Sequence, residues 1–189
     1  METVSFTQMK YGNREDYIFL QDLENEYIQD TTERIMDSLK SLENGITGYK
    51  ISRLRHSIQT ASRAWRDGAD IDWIISALLH DIGDLHAPHN HGEYASTILK
   101  PYVREQCQWV IATHGAFQMI YYGQHLEKYN QHAREKYRGH RFFQDCVDFC
   151  ERWDQASFDP NYPDPLLMFF KPMLEEVFSR APYDPAIVT

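Results

Sequence analysis

The chain has 189 residues, 42% of them hydrophobic and 25% charged, with a formal net charge of −9 at pH 7. That composition belongs to a folded globular protein of about one domain. The acidic balance argues against nucleic acid or an anionic membrane as partner, and no apolar run approaches the roughly 20 residues of a membrane span.

Residues 1–12 read as a loose arm. They lack the basic start and apolar run of a signal peptide. From Asn13, the residues Tyr17, Leu20, Leu23, Tyr27, Ile35, Leu39 and Leu42 recur at helical intervals, which predicts one N-terminal helix over 13–43, broken by "NGITG" at 44–48. A second helix is expected from about Lys50 to Arg66. A third follows the turn "DGAD", capped by Asp70, and ends near Asp81. After a loop at 82–89, helices are expected over 90–99 and 102–114. Residues 115–139 are mixed, and a long helix covers 140–155. "FDPNYPDP" (158–165) is a proline-rich loop, and a C-terminal helix runs over 172–180 with Pro172 in its first turn. No alternating strands, repeats or linkers are evident. The expectation is an all-α chain, one domain over 1–189, with its functional centre within 50–155. Cys107, Cys146 and Cys150 have no paired spacing, so they read as free thiols in a cytoplasmic protein.

"LLHDIGDLHAPHNH" (78–91) puts four histidines and two aspartates directly after an apolar helix. Two readings compete, a histidine-rich polar loop or a metal site. His56 in "RLRHS", His80-Asp81 in "LLHD" and Asp154 in "CERWDQ" all lie among strongly apolar neighbours. Burying an ionisable group costs several kcal/mol unless it is paired or coordinated. One divalent ion would satisfy all four groups. His91 and His114 ("IATHG") fit a second ion, with Asp81 as the bridge. His86 and His89 read as loop residues or partners of ligands. His125, His132 and His140 read as surface or pocket residues.

The order His56, His80-Asp81, His91, His114, Asp154 resembles the H…HD…H…H…D signature of the HD-domain superfamily. The resemblance covers roughly residues 50–155 and implies a helical bundle around a dinuclear metal site. Most members are phosphohydrolases whose metals activate water and clamp phosphate. A smaller branch holds mixed-valent di-iron oxygenases, among them myo-inositol oxygenase and enzymes that cleave hydroxylated aminoethylphosphonates. "GYKISRLRHSIQTA" and "RWDQASFD" resemble segments of that branch. Where related enzymes carry lysine or histidine four residues past the HD histidine, this chain has Asp84. Ile46 and Tyr49 stand where the phosphonate enzyme has tyrosine and glutamate.

The resemblance implies an oxygenase using two Fe ions (Fe2+/Fe3+; alternatively Mn, Ni, Co or Zn), O2 and a small hydroxylated substrate such as a 1-hydroxyphosphonate. The alternative is a metal-dependent phosphohydrolase acting on a nucleotide or other phosphate ester. A non-catalytic binding protein is a third reading. The chain is expected to be a monomer or small homo-oligomer. Asp81 and Asp84 are the candidate catalytic carboxylates; Asp84, one helical turn from His80, could instead orient a metal ligand as an acceptor behind it, or meet a cationic group of substrate. Tyr49, Asp84, His86, Gln118, Tyr122, Lys136 and Arg138 are candidate substrate contacts. Tyr121, Tyr122, Tyr137 and Trp153 could offer an aromatic surface to a quaternary ammonium group. Lys136, Arg138 and Arg141 could meet a phosphonate or carboxylate.

Overall fold

A computed structural model describes residues 3–189, and every regular element among them is helical. The all-α expectation holds. Helix α1 (Arg14–Gln29) starts at Asn13, whose side chain accepts from the Asp16 amide while the Asp16 carboxylate accepts from the Asn13 amide. This reciprocal cap satisfies amide groups that a helix start leaves open. The same carboxylate takes the amide and hydroxyl of Ser5 at 2.8 and 2.7 Å, and a 3-10 turn covers Met9–Tyr11. From residue 3 onward the arm is therefore tied to α1 rather than loose; residues 1–2 of that expected arm lie outside the described residues.

The single helix expected over 13–43 is two. α1 ends at Asp30, α2 (Thr31–Ser41) begins at the next residue, and a 3-10 turn at Leu42–Asn44 completes the segment. The break falls on "DTT", short polar side chains that compete for backbone hydrogen bonds; Thr31 Oγ1 donates to the Ile28 carbonyl at 2.6 Å. Burial changes with direction. α2 buries Ile35, Met36 and Leu39, whereas every residue from Leu20 to Asp30 is exposed.

The remaining helices are α3 (Arg53–Arg66), α4 (Ile71–Leu79), α5 (His91–Leu99), α6 (Glu105–Tyr122), α7 (Phe143–Phe149), α8 (Lys171–Phe178) and α9 (Pro185–Val188). Ser52 caps α3 by accepting from the Arg55 amide at 3.1 Å, and Asp70 caps α4 by accepting from the Trp73 amide at 3.2 Å. α3 packs on α4, α5 on α6, and α6 on α7. A single hydrophobic core draws on residues from Ile35 in α2 to Phe178 in α8, with Leu78, Ile111, Phe117 and Phe149 enclosed at its middle.

Several boundaries differ from the sequence expectation, among them the starts of α3 and α6, each about three residues later than expected. α6 runs on past Gly115 to Tyr122, because Phe117 keeps the buried phase of Val110, Ile111 and His114. The long helix expected over 140–155 starts only at Phe143 and finishes as a π turn, Cys150–Asp154. The C-terminal helix ends at Phe178, and α9 was not foreseen. Cys107, Cys146 and Cys150 are buried free thiols. Among the described residues, no helix is long and apolar enough to cross a membrane.

Candidate metal centre

Four helices and one turn deliver six ligand-type side chains to one place. α3 presents His56 one turn in from its start. α4 is buried from Ile74 to Leu79, so His80, which follows at its end, is fully enclosed. The chain then leaves the helix at Asp81 and turns through a 3-10 segment, Ile82–Leu85. α5 opens on His91, α6 carries His114, and the π turn after α7 carries Asp154. Such π turns often mark functional sites.

Two glycines permit the approach. A Cβ on Gly83 would sit 2.5 Å from the His91 carbonyl oxygen, and one on Gly92 would sit 2.7 Å from the Ile111 carbonyl oxygen and 3.2 Å from the His114 ring. Only a residue without a side chain lets the loop after Asp81, α5 and α6 close on each other.

The four imidazoles form a row. Ring centroids step 5.0 Å from His56 to His80, 5.2 Å to His114 and 5.1 Å to His91. Asp81 lies along the row and serves both halves. Its Oδ2 is 3.1 Å from His80 Nε2 and 3.3 Å from His56 Nε2; its Oδ1 is 3.4 Å from His91 Nε2 and 3.5 Å from His114 Nε2. Asp154 Oδ1 closes one end, 3.2 Å from His56 Nε2 and 3.5 Å from His80 Nε2.

These residues fit metal ions. His56, His80 and His114 each direct Nδ1 at a backbone carbonyl, of Ser157, Ala77 and Ile111, at 2.8, 2.8 and 2.7 Å. A carbonyl only accepts, so each Nδ1 donates, and in the neutral ring Nε2 is left as a lone pair. Those lone pairs point at one another and at two carboxylates; His56 and His80 Nε2 are 3.1 Å apart. Asp154 Oδ2 is buried without any hydrogen-bond partner. Such a set needs positive charge at its centre. Ligand atoms of His56, His80 and Asp81, of His80, His114 and Asp154, and of Asp81, His91 and His114 each lie within 4.8 Å of one another.

The electrostatics agree. Burial opposes charge on His80, but Asp81 and Asp154 outweigh it and push the imidazole up to about 10. Burial likewise opposes the charge on Asp154 and Asp81; His80, with His56 for the first and Arg53 for the second, holds both carboxyls well below the usual range. His91 goes the other way, because burial and the neighbouring His114 hold it below its ordinary value against the pull of Asp81.

The remaining sequence candidates divide. Tyr49 stacks on Phe158 at 5.1 Å, and Phe158 stacks on His56 at 4.3 Å, so the pair roofs the His56 end. Tyr122 packs edge-on against Tyr129 at 6.2 Å, and burial, with Tyr129, Tyr49, Asp154 and Asp81, pushes its phenol above its ordinary value. Gln118 lies half-buried one turn beyond His114. His86 is not at the centre. It borders a separate cleft of about 200 Å³ shared with Tyr94 and Ile82. Lys136 sits exposed over Tyr137 at 4.6 Å, and the Arg138 guanidinium is taken up by Glu135 at 2.8 Å. Arg141 pairs with Glu105. These three cations are spent locally. His140 stacks flat on Trp109 at 3.9 Å, and His89, His125 and His132 are exposed.

Sequence reasoning missed Arg53. Its guanidinium donates through Nη2 to Asp81 Oδ2 and through Nε to Asp84 Oδ2 at 2.8 Å. Asp84, expected to face substrate, is therefore ion-paired. The spacing of three residues to His56 on α3 was the available signal. Phe158 was missed as well.

Residues 53–141 match the family model of the HD domain. Over this segment the chain is similar to the HD domain, whose members are typically metal-dependent enzymes, hydrolases and oxygenases among them. The matched segment includes His56, His80, Asp81, His91 and His114; Asp154 lies beyond it and is brought in by the fold. No match was found among curated proteins.

Proposed function

We propose that the protein is a non-heme di-iron oxygenase that uses O2 to oxidise or cleave a small hydroxylated substrate with an anionic group. The nearest precedent is a 1-hydroxy-2-aminoethylphosphonate-type organophosphonate. The observation that carries this reading is Asp81 facing two histidine pairs at once, His56 with His80 through Oδ2 and His91 with His114 through Oδ1. His56, His80, Asp81 and Asp154 would hold one ion, and Asp81, His91 and His114 the other. Nitrogen and oxygen donors suit iron, as they do Mn, Co, Ni and Zn. Bound iron would supply the electron transfer and dioxygen activation needed to break a substrate C–H bond.

The protein's own groups do the rest. Tyr49 and Phe158 cover His56 and exclude water from that end. The side chain of His91 is 26% exposed, so substrate enters from its side. A groove of about 750 Å³ between Leu54 and Pro165 contains none of the six ligand-type residues.

Oxygen uptake tests the reading. Iron-loaded protein given a panel of 1-hydroxyphosphonates should consume O2 and release phosphate only when O2 is present. Phosphate release from nucleotides under anaerobic conditions, without O2 uptake, would overturn it in favour of a phosphohydrolase. One observation favours that second reading: the Arg53 guanidinium fixed beside Asp81 is also a group that meets phosphate well.

A further inference from the structure

The two ends of the centre are not built alike. His56, His80 and His114 each have Nδ1 anchored on a backbone carbonyl within 2.8 Å. His91 is anchored more loosely, by a long hydrogen bond to a backbone carbonyl. Its Nδ1 is 3.5 Å from the Pro88 carbonyl and 3.6 Å from Asp84 Oδ1. A ligating imidazole is normally held by an acceptor on its other nitrogen, which fixes ring orientation and raises ligand basicity. The carboxylate of Asp84 lies just beyond hydrogen-bond distance of the same nitrogen, and a charged acceptor would hold the ring more strongly than the carbonyl once the two close up.

Asp84 is itself held. Arg53 donates Nε to Asp84 Oδ2 at 2.8 Å and Nη2 to Asp81 Oδ2, with only 11% of its side chain exposed. The guanidinium is planar and its donors keep a fixed spacing. One rigid group thus sets the separation between the carboxylate that faces both histidine pairs and the carboxylate behind His91. A lysine could supply the charge but not the fork.

We propose that Asp84, held by Arg53, is a positioning residue for the second, more open metal position, and that it orients His91 and so governs binding of the second ion separately from the first. This rests on the two-ion reading given above. Asp84 then has no direct role with substrate; it acts through His91. The arrangement gives the centre a tight ion at the His56–Asp154 end and a weaker, exchangeable one at the His91 end.

The test uses the full-length metal-free protein titrated with manganese(II), free ion followed by EPR and heat by calorimetry. Wild type should take two ions with distinct affinities. The charge-conserving variant Asp84→Glu should keep the first ion at wild-type affinity and weaken the second about 10–100-fold, the usual cost of losing such an outer partner. His91→Ala should give the same pattern. The first ion is the folding control, since its ligands come from α3, α4 and the π turn. Variants that bind both ions as wild type does would overturn the proposal, and so would loss of both ions together, which would mean a general packing role. A wild type that takes only one ion would overturn the two-ion reading, and this inference with it.

Discussion

Helices α1 and α3 are similar in length and both are well capped, yet they have opposite fates. α1 has 16 residues and buries one, Asp16; α3 has 14 and buries eight. By sequence α1 looks the better core helix, with Tyr17, Leu20, Leu23 and Tyr27 at regular spacing. α3 is richer in arginine, serine and threonine. The structure puts Leu23 and Tyr27 in solvent at 45% and 62% exposure and encloses His56, Ser57, Gln59 and Thr60. An apolar stripe shows that a segment can be a helix. Polar side chains held inside a helix bundle show where the chemistry is, because their burial must be offset by partners.

That contrast can be broken most severely in α3. His56→Ala removes a ligand, the hydrogen bond to Ser157 and the platform under Phe158, and leaves Asp154 short of a partner. Removing one partner of a buried charged set typically costs about 3–5 kcal/mol. Metal analysis and urea denaturation should show loss of the ion at that end and a large drop in stability of the metal-free protein. Gly92→Ala comes next. Its Cβ would press on the Ile111 carbonyl at 2.7 Å, backbone that cannot yield easily. Overpacking of this kind costs about 1–3 kcal/mol, and a lower thermal midpoint with weakened metal binding at the His91 end is expected.

Leu23→Glu in α1 should change stability by no more than about 0.5 kcal/mol, as for other exposed positions. A larger loss in urea denaturation would mean that α1 is covered in solution. The smallest effect is expected at Asp16. Hydrogen bonds from the Ser5 and Asn13 amides, with the Ser5 hydroxyl, hold its carboxyl below the usual value. A lowered folded value means the stabilisation is complete above the ordinary carboxylate range and is lost as pH falls through the folded value. Acidification below about pH 4 should therefore free residues 3–12, seen as faster amide exchange at Ser5, while the core amides stay protected.

Much of the centre was legible because its members sit in unusual company. His80-Asp81 after a fully apolar helix, His56 between Leu54 and Ile58, and Asp154 beside Trp153 each pose a burial problem that a shared ion solves. Arg53 was not legible, since an arginine in a polar helix is ordinarily solvated and its partners lie across a helix and a turn. Lys136 and Arg138 misled for the opposite reason. Cations in a charged segment look available, but Glu135 and Tyr137 nearby occupy them. The break at Asp30 was hidden because apolar spacing continues in phase across it, and hydrogen bonding by "DTT" decides the matter. "HG" at 114–115 reads as a helix stop. Here Gly115 lies inside α6, with the His91 ring 4.0 Å from where its Cβ would be.

The measurement that most directly tests the two-ion centre is iron content with EPR on protein reconstituted without oxygen and then partly oxidised. Two irons per chain and a mixed-valent signal, perturbed by a 1-hydroxyphosphonate and absent in His80→Ala, are predicted. One iron or none per chain, or a signal that survives His80→Ala, would contradict it.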